Sequence, residues 1–465
     1  MKIWVPRRRP TRSRALGAAA LLVACAAVPA GAAASSSGPA SPTATGGTAR
    51  NVILLIGDGM GDSEITLARN YTVGAAGRLH MDRFPMTGAY TTYSVHKDGT
   101  PDYVTDSAAS ATGWATGHKT VNGRLSKTPD TDRPLPTILE LARRNGLATG
   151  SVTTAELTDA TPASLVSHVA DRSCQGPADM RDCPGDTLGR GGPGSIAEQS
   201  VAHDVDVLFG GGKQRFDQTV TEGPGRGRTV TDQARRRGHQ VVTDARELAA
   251  ARPGRPVLGL FAPEALPVEW TGKPAAQGGT APQRCVTSNP ARPAGTPSLE
   301  TLTRKAIQLL ERPEDAKKKT GKGTEKDTKK GFFLQVEGAS IDKMNHDADP
   351  CGQIGETAAF DRAVKVARDY AAEHPDTLVV TTADHGHSSQ IVPLEARPAG
   401  LSSTLVTDEG GLMKVSYGTH AGDEGQEHSG VQVRIAAQGP QSHRVLGLTD
   451  QTGLFTTLRT ALSLR

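Results

Sequence analysis

Apolar positions along this chain come in short blocks that stop at glycine or at an acidic residue. Asn51–Ile56 leads into Gly57-Asp58-Gly59, Phe332–Val336 into Glu337-Gly338, and Thr377–Thr382 into Ala383-Asp384-His385. Aliphatic and β-branched runs bounded in this way predict buried strands. Val205–Phe209, stopped by Gly210-Gly211-Gly212, predicts another, as do Ala148–Thr153 and Val431–Ala436. Helical periodicity falls between them: an amphipathic helix over Leu135–Arg144 ended by Asn145-Gly146, then Leu299–Glu311, then Thr357–Glu373 with Ala and Val on one face. The alternation predicts an α/β chain, a three-layer α/β/α sandwich around a central, mostly parallel sheet. In such a sheet ligands bind outside the carboxyl ends of the strands. Asp58, Glu337, Asp384 and His385 should therefore converge on one edge, where carboxylates and imidazole together suit a cluster of divalent metal ions.

The chain has 465 residues, enough for a large core, with 22% charged and only 4% aromatic residues. The net charge of +4 is local: Lys2, Arg7, Arg8, Arg9, Arg12 and Arg14 lie in the first fourteen positions, and without them the remainder carries about −2. That balance gives no reason to expect a nucleic-acid partner. The basic start and the apolar Ala15–Ala27 stretch, too short to span a bilayer comfortably, predict an export signal over residues 1–34. Small residues around Ala30 and Ala32 offer ordinary cleavage. Leu22-Val23-Ala24-Cys25 offers the alternative of lipidation at Cys25. Residues 35–49 read as a flexible leader and 50–465 as one catalytic domain. Within it, 313–330 forms a Lys-rich loop, a solvated insertion on one reading and a polyanion-binding strip on the other. Cys174, Cys183, Cys285 and Cys351 remain after Cys25, an even number that predicts two disulfides in an exported chain, with three pairings open. Gly185–Gly194 reads as a glycine-rich loop.

Five segments carry candidate chemistry. In Thr105-Asp106-Ser107-Ala108-Ala109-Ser110, Asp106 is a good N-cap, which places Ser107 in a first helical turn where amides and dipole favour phosphate. Its hydroxyl is a weak nucleophile unless a base or metal activates it. Asp342 and His346, four apart, share a helix face suited to one ion. Asp384-His385-Gly386-His387 follows a strand, and His428 precedes one. Arg172 offers a guanidinium for bidentate phosphate recognition. His80, His96, His168, His374 and His443 have no such neighbours and are read as structural.

Taken in order, these blocks resemble the alkaline phosphatase family, especially its bacterial periplasmic type. Gly57-Asp58-Gly59-Met60-Gly61, Thr105–Thr112, Thr158-Asp159-Ala160-Thr161-Pro162, Glu337–Asp342, Ala383–His387 and Gln426–Gly430 carry the likeness, which runs from Asn51 to the C-terminus. The resemblance implies two zinc ions and one magnesium per subunit. Asp342, His346 and His428 would hold one zinc. Asp58, Asp384 and His385 would hold the other beside Ser107. Asp58, Thr161 and Glu337 would hold magnesium, with Asp159 acting through water. It implies that Arg172, oriented by Asp106, clamps the phosphate, that Asp159 and Lys343 lie near it, and that His387 buttresses Asp342. Phosphate monoesters would be hydrolysed through a phosphoserine at Ser107, with broad range, by a homodimer. A diesterase or sulfatase of the same superfamily, or a non-catalytic metal-binding envelope protein, are the alternatives. Ser107 lacks the Pro-x-Arg context of a sulfatase, and a two-oxygen arginine clamp favours monoesters.

Overall fold

The computed structural model describes residues 46–311, 331–422 and 424–465; the export signal, most of the leader and the Lys-rich 313–330 stretch lie outside them. Across the main sheet the strands run Gly447–Asp450, Met86–Thr91, Val433–Gln438, Thr377–Ala383, Asn51–Gly57, Phe332–Gly338, Ala148–Glu156, Val207–Gly211, Val257–Leu260 and Gln240–Val242. Only Val433–Gln438 runs against the rest. The three strands at the centre are buried along their whole length. Pro350–Glu373, Leu299–Leu310 and Asp62–Thr72 cover one face, and Ser107–Thr116, Ile138–Arg144, Ala160–Val166 and Thr452–Ala461 the other. This double cover is why the central runs are apolar throughout instead of alternating.

Register places the chemistry. Gly57 pairs with Gly338 on one side and Ala383 on the other, and Glu337 pairs with Thr153. Asp58, Glu337 and Asp384 thus reach one edge together, as the sequence pattern predicts. The antiparallel strand sets Ile435 opposite Thr382, so its N-terminal end, with His428 just upstream, arrives at that same edge.

Differences from the sequence reading have local causes. The first amphipathic helix spans Ile138–Arg144, because Thr137 caps it in a reciprocal box with Glu140. The long helix begins at Pro350, seven residues before the expected start. Asp349 caps it by accepting the Cys351 and Gly352 amides. Gly352 and Gly355 look like breakers in sequence but are contact points, since a Cβ at Gly355 would lie 2.4 Å from the Cβ of Trp270. A four-stranded antiparallel sheet of Ser389–Val392, Leu412–Tyr417, Leu401–Val406 and Ala276–Gln277 was not foreseen. Two disulfides form, Cys174–Cys183 and Cys285–Cys351; the second joins residues 66 apart.

The long helix also buries Glu356, 3% exposed, which accepts the Glu269 amide at 2.8 Å. Burial pushes its pKa up to about 7, helped by the facing Glu269 carboxylate and opposed first by the Glu269 amide and then by Arg292 and Arg362. The folded state therefore binds this proton more tightly than the unfolded chain does. Its contribution is complete below pH 4.5 and is lost as pH rises through 7, on the order of 3 kcal/mol. Glu356→Gln keeps an acceptor for the amide and should flatten that part of the stability profile. Urea denaturation at pH 5 and pH 8 should give a smaller difference in the variant; an equal difference would exclude Glu356 as its source.

Candidate active site

Ser107 opens a helix buried over its whole length, Ser107–Thr116. Asp106 accepts the Ala109 amide at 2.9 Å through one carboxylate oxygen and the Gly123 amide at 3.0 Å through the other. The small residues after it let the helix lie close against the strand ends. Ser110 Oγ donates to the Asp384 carbonyl at 2.8 Å, and Trp114 Nε1 donates to the central-strand Gln335 side chain at 3.0 Å. The Ser107 hydroxyl oxygen stands 3.5 Å from Asp58 Oδ1 and 3.3 Å from His385 Nε2. Asp384 in turn accepts the Gly59 and His385 amides at 2.9 Å each.

Beside this cluster lies a second. Asp342 and His346 share one face of the Ser340–His346 helix, with His346 Nε2 3.3 Å from Asp342 Oδ2. His428 Nε2 stands 3.3 Å from Asp342 Oδ1 and 3.2 Å from His346 Nε2. The Nδ1 atoms of His346 and His428 each face a backbone carbonyl, of Gln426 and Thr105 respectively. That contact fixes the tautomer and turns each Nε2 lone pair inward. Two lone pairs facing each other beside a carboxylate favour a cation between them. Burial opposes protonation of His346, yet the Asp342 carboxylate outweighs it and lifts its pKa to about 9.

Two buried oxygens at this edge lack a hydrogen-bond partner, Asp384 Oδ2 and Thr161 Oγ1. Glu337 is held by Thr153 Oγ1 at 2.5 Å, and burial together with the charge of Asp58 pushes its carboxyl well above the ordinary range. The same two causes raise Asp384. Orphaned buried oxygens, crowded carboxylates and inward imidazoles are a donor set that fits divalent ions. Asp342, His346, His387 and His428 form one potential metal group, and Asp58, Asp342 and His385 another. His387 differs from the other imidazoles. Its Nδ1 accepts the Ser388 amide at 2.9 Å, which leaves Nε2 as the N–H, 3.3 Å from Asp342 Oδ1. Burial lowers its pKa to about 4. A neutral donor in this place orients a carboxylate instead of binding an ion.

Arg172 reaches the site from a loop. It donates to Asp106 Oδ2 at 3.1 Å and to Asp159 Oδ1 at 2.7 Å, while Lys343 Nζ meets Asp159 Oδ2 at 2.8 Å. Burial would raise the Asp159 carboxyl, but Lys343 and then Arg172 outweigh it and hold it far below the usual range. Asp159 also caps the Ala160–Val166 helix, which carries Thr161. Ser107, Asp106, Arg172, Asp159, Lys343, Asp342, His346 and His428 line a single cavity of about 420 Å³. The candidate catalytic, phosphate-binding and metal-ligand residues named from sequence lie at this edge of the sheet; the four cysteines pair elsewhere. Asn122 was not foreseen: its side-chain oxygen accepts the Asp106 amide at 3.0 Å, and its nitrogen donates to the Val104 carbonyl at 2.9 Å. An asparagine in a turn leaves no sequence signal for such a role.

A helix N-terminus carrying a hydroxyl, an arginine and a potential metal-binding cluster at the carboxyl edge of an α/β sheet are the parts a hydrolase of phosphate esters needs. The alkaline phosphatase family model matches residues 49–424 and 403–464. A streptomycin-6-phosphate phosphatase of Streptomyces griseus is 63% identical over 458 residues, 98% of this chain and 99% of the relative. Alkaline phosphatase of Escherichia coli is 50% identical over 425 residues, 90% of this chain and 87% of its own. Among solved structures, alkaline phosphatase from the Antarctic bacterium TAB5 superposes with a TM-score of 0.66 at 24% identity, covering 90% of this chain and 99% of its own. The chain belongs to the alkaline phosphatase family, and with it to the hydrolases of phosphate monoesters.

Proposed function

We propose that this chain hydrolyses phosphate monoesters through a phosphoserine at Ser107, with two zinc ions and one magnesium per subunit. The observation that carries the reading is the Ser107 hydroxyl, placed at a helix N-terminus within 3.5 Å of both Asp58 and His385. Asp342, His346 and His428 would hold one zinc, and Asp58, Asp384 and His385 the other. Asp58, Thr161 and Glu337 would hold magnesium, with Asp159 reaching it through water. When bound, these ions supply the positive charge that favours an ionised hydroxyl and stabilises the phosphoryl and leaving-group oxygens.

The chain's own residues do the rest. Ser107 Oγ attacks phosphorus in line, the ester P–O bond breaks, and the alcohol leaves with a proton. Amides of the first helical turn and the helix dipole favour the phosphate beside Ser107. Arg172 takes two nonbridging oxygens, its plane fixed by Asp106, and Lys343 balances the Asp159 charge next to it. Water then attacks the phosphoserine, releasing inorganic phosphate and restoring the hydroxyl. His387, as N–H donor, orients Asp342. Metal content tests the ligand sets: exhaustively dialysed protein should hold two zinc and one magnesium by elemental mass spectrometry, and His428→Ala should lose one zinc. Unchanged zinc in that variant would remove His428 from the set.

The relative at 63% identity favours a sharper substrate reading, that this chain also dephosphorylates streptomycin 6-phosphate. The leaving group there carries guanidino groups, and the exposed Glu427 on the cavity wall offers a carboxylate for them. Comparing kcat/KM for streptomycin 6-phosphate and p-nitrophenyl phosphate tests it. No release from the antibiotic ester beside normal release from the chromogenic one would remove that substrate and leave the activity. Export rests on the signal-like start, with lipidation at Cys25 as its variant; no helix among the described residues is long and apolar enough to cross a membrane. Pairing into a homodimer is supported by the exposed Tyr103, Val104 and Val431, with Val104 on the cavity wall itself.

A further inference from the structure

The glycine-rich Gly185–Gly194 stretch supplies no residue to the cluster around Ser107, yet it encloses an ion pair. Asp186 is 5% exposed and Lys127 4% exposed, and Nζ meets Oδ1 at 2.5 Å. Asp132, partly exposed, adds a second carboxylate at 3.0 Å. Such a pair is a poor device for stability alone, because desolvating both charges offsets most of their attraction. Its place in the chain suggests another use. The second oxygen of Asp186 accepts the Ala170 amide at 2.8 Å, two residues before Arg172. The glycines permit this enclosure: Gly194 donates its amide to the Asp186 carbonyl at 2.7 Å, and a Cβ at Gly192 would lie 2.4 Å from the Asp186 carbonyl carbon.

From the other side, the chain leading to Lys127 runs along the same loop. Leu125 donates its amide to the Val169 carbonyl at 3.2 Å, and Arg172 donates its own to Gly123 at 2.7 Å. Gly123 in turn binds Asp106, the partner of the Arg172 guanidinium. The Cys174–Cys183 bridge closes the loop beyond Arg172. Arg172 follows the Ala160–Val166 helix on irregular chain, where a side chain is held less well than on a helix or strand unless its backbone is fixed by neighbours.

We propose that the buried Lys127–Asp186 pair positions Arg172, and so sets how tightly the site holds a phosphoryl group. The proposal rests on Arg172 being the phosphate clamp. The test measures inorganic phosphate binding to metal-loaded enzyme, by calorimetry and by competitive inhibition. Four proteins are compared: wild type, Lys127→Met with Asp186→Asn, Arg172→Ala, and all three changes together. The paired change removes both charges at once, so no lone buried charge drives unfolding, and Asn keeps an acceptor for Ala170. Phosphate affinity should fall roughly tenfold in the paired variant, as for a group displaced by a fraction of an ångström, with turnover at saturating monoester little altered. The same paired change should have no further effect once Arg172 is Ala, because a positioning residue acts only through the group it positions. Unchanged phosphate affinity in the paired variant, or an equal loss with and without Arg172, would overturn the positioning role alone. Unchanged affinity in Arg172→Ala would overturn the clamp assignment and the proposal with it.

Discussion

Ser107→Ala should reduce turnover of a phosphate monoester by roughly a thousandfold or more, and should leave no acid-stable phosphoprotein after brief mixing with substrate. The size of the effect follows from the geometry. Among the described residues lining the 420 Å³ cavity, Ser107 is the hydroxyl that stands at a helix N-terminus against Asp58 and His385. Thr105 lines the same cavity, but its Oγ1 is turned to the Asp106 carbonyl at 2.9 Å. Direct attack by water would retain the arginine and the proposed metal ions but lose a nucleophile already positioned. Quenched mixing with labelled substrate separates the two routes. A normal burst of alcohol and a labelled protein in the variant would remove Ser107 from the mechanism.

Chelation should weaken the fold as well as the activity. Asp58, Glu337 and Asp384 are buried carboxylates at one sheet edge, and both Glu337 and Asp384 are pushed toward their neutral forms by burial and by Asp58. Ions that bind the folded state alone stabilise it by mass action, about 4 kcal/mol for each site filled at a thousand times its dissociation constant. Three filled sites would then lower the melting temperature on their removal by on the order of 10 °C in a chain of this length. Differential scanning calorimetry after chelation, with metal content checked on the same sample, measures it. An unchanged melting temperature in protein shown to be metal-free would mean that the carboxylate cluster is satisfied without ions.

Much of this site was legible in the sequence because its residues sit at the ends of strongly patterned elements. Asp58, Glu337 and Asp384 each end an apolar run, and parallel pairing in register makes such ends coincide. Asp106 and Ser107 are readable through capping chemistry, and Asp342 with His346 through helical spacing. His428 is different. Its arrival depends on one antiparallel strand, a reversal that periodicity does not report; the family resemblance supplied it. Asn122, Lys127 and Asp186 were silent for a related reason. They act across loops, where contacts are set by tertiary enclosure and carry no period. The long helix was read short because the apolar face that marked it begins at Thr357, while its first turns carry Gly352 and Gly355, the second packed against Trp270. The four cysteines gave the number of bridges but left three pairings open, and the fold selects Cys174–Cys183 and Cys285–Cys351.

The most direct test is hydrolysis of p-nitrophenyl phosphate beside bis(p-nitrophenyl) phosphate, before chelation, after it, and after zinc and magnesium are returned. Strong preference for the monoester, lost on chelation and recovered with the two metals, is the predicted result. Preference for the diester, or monoester hydrolysis that persists in verified metal-free protein, would contradict the account.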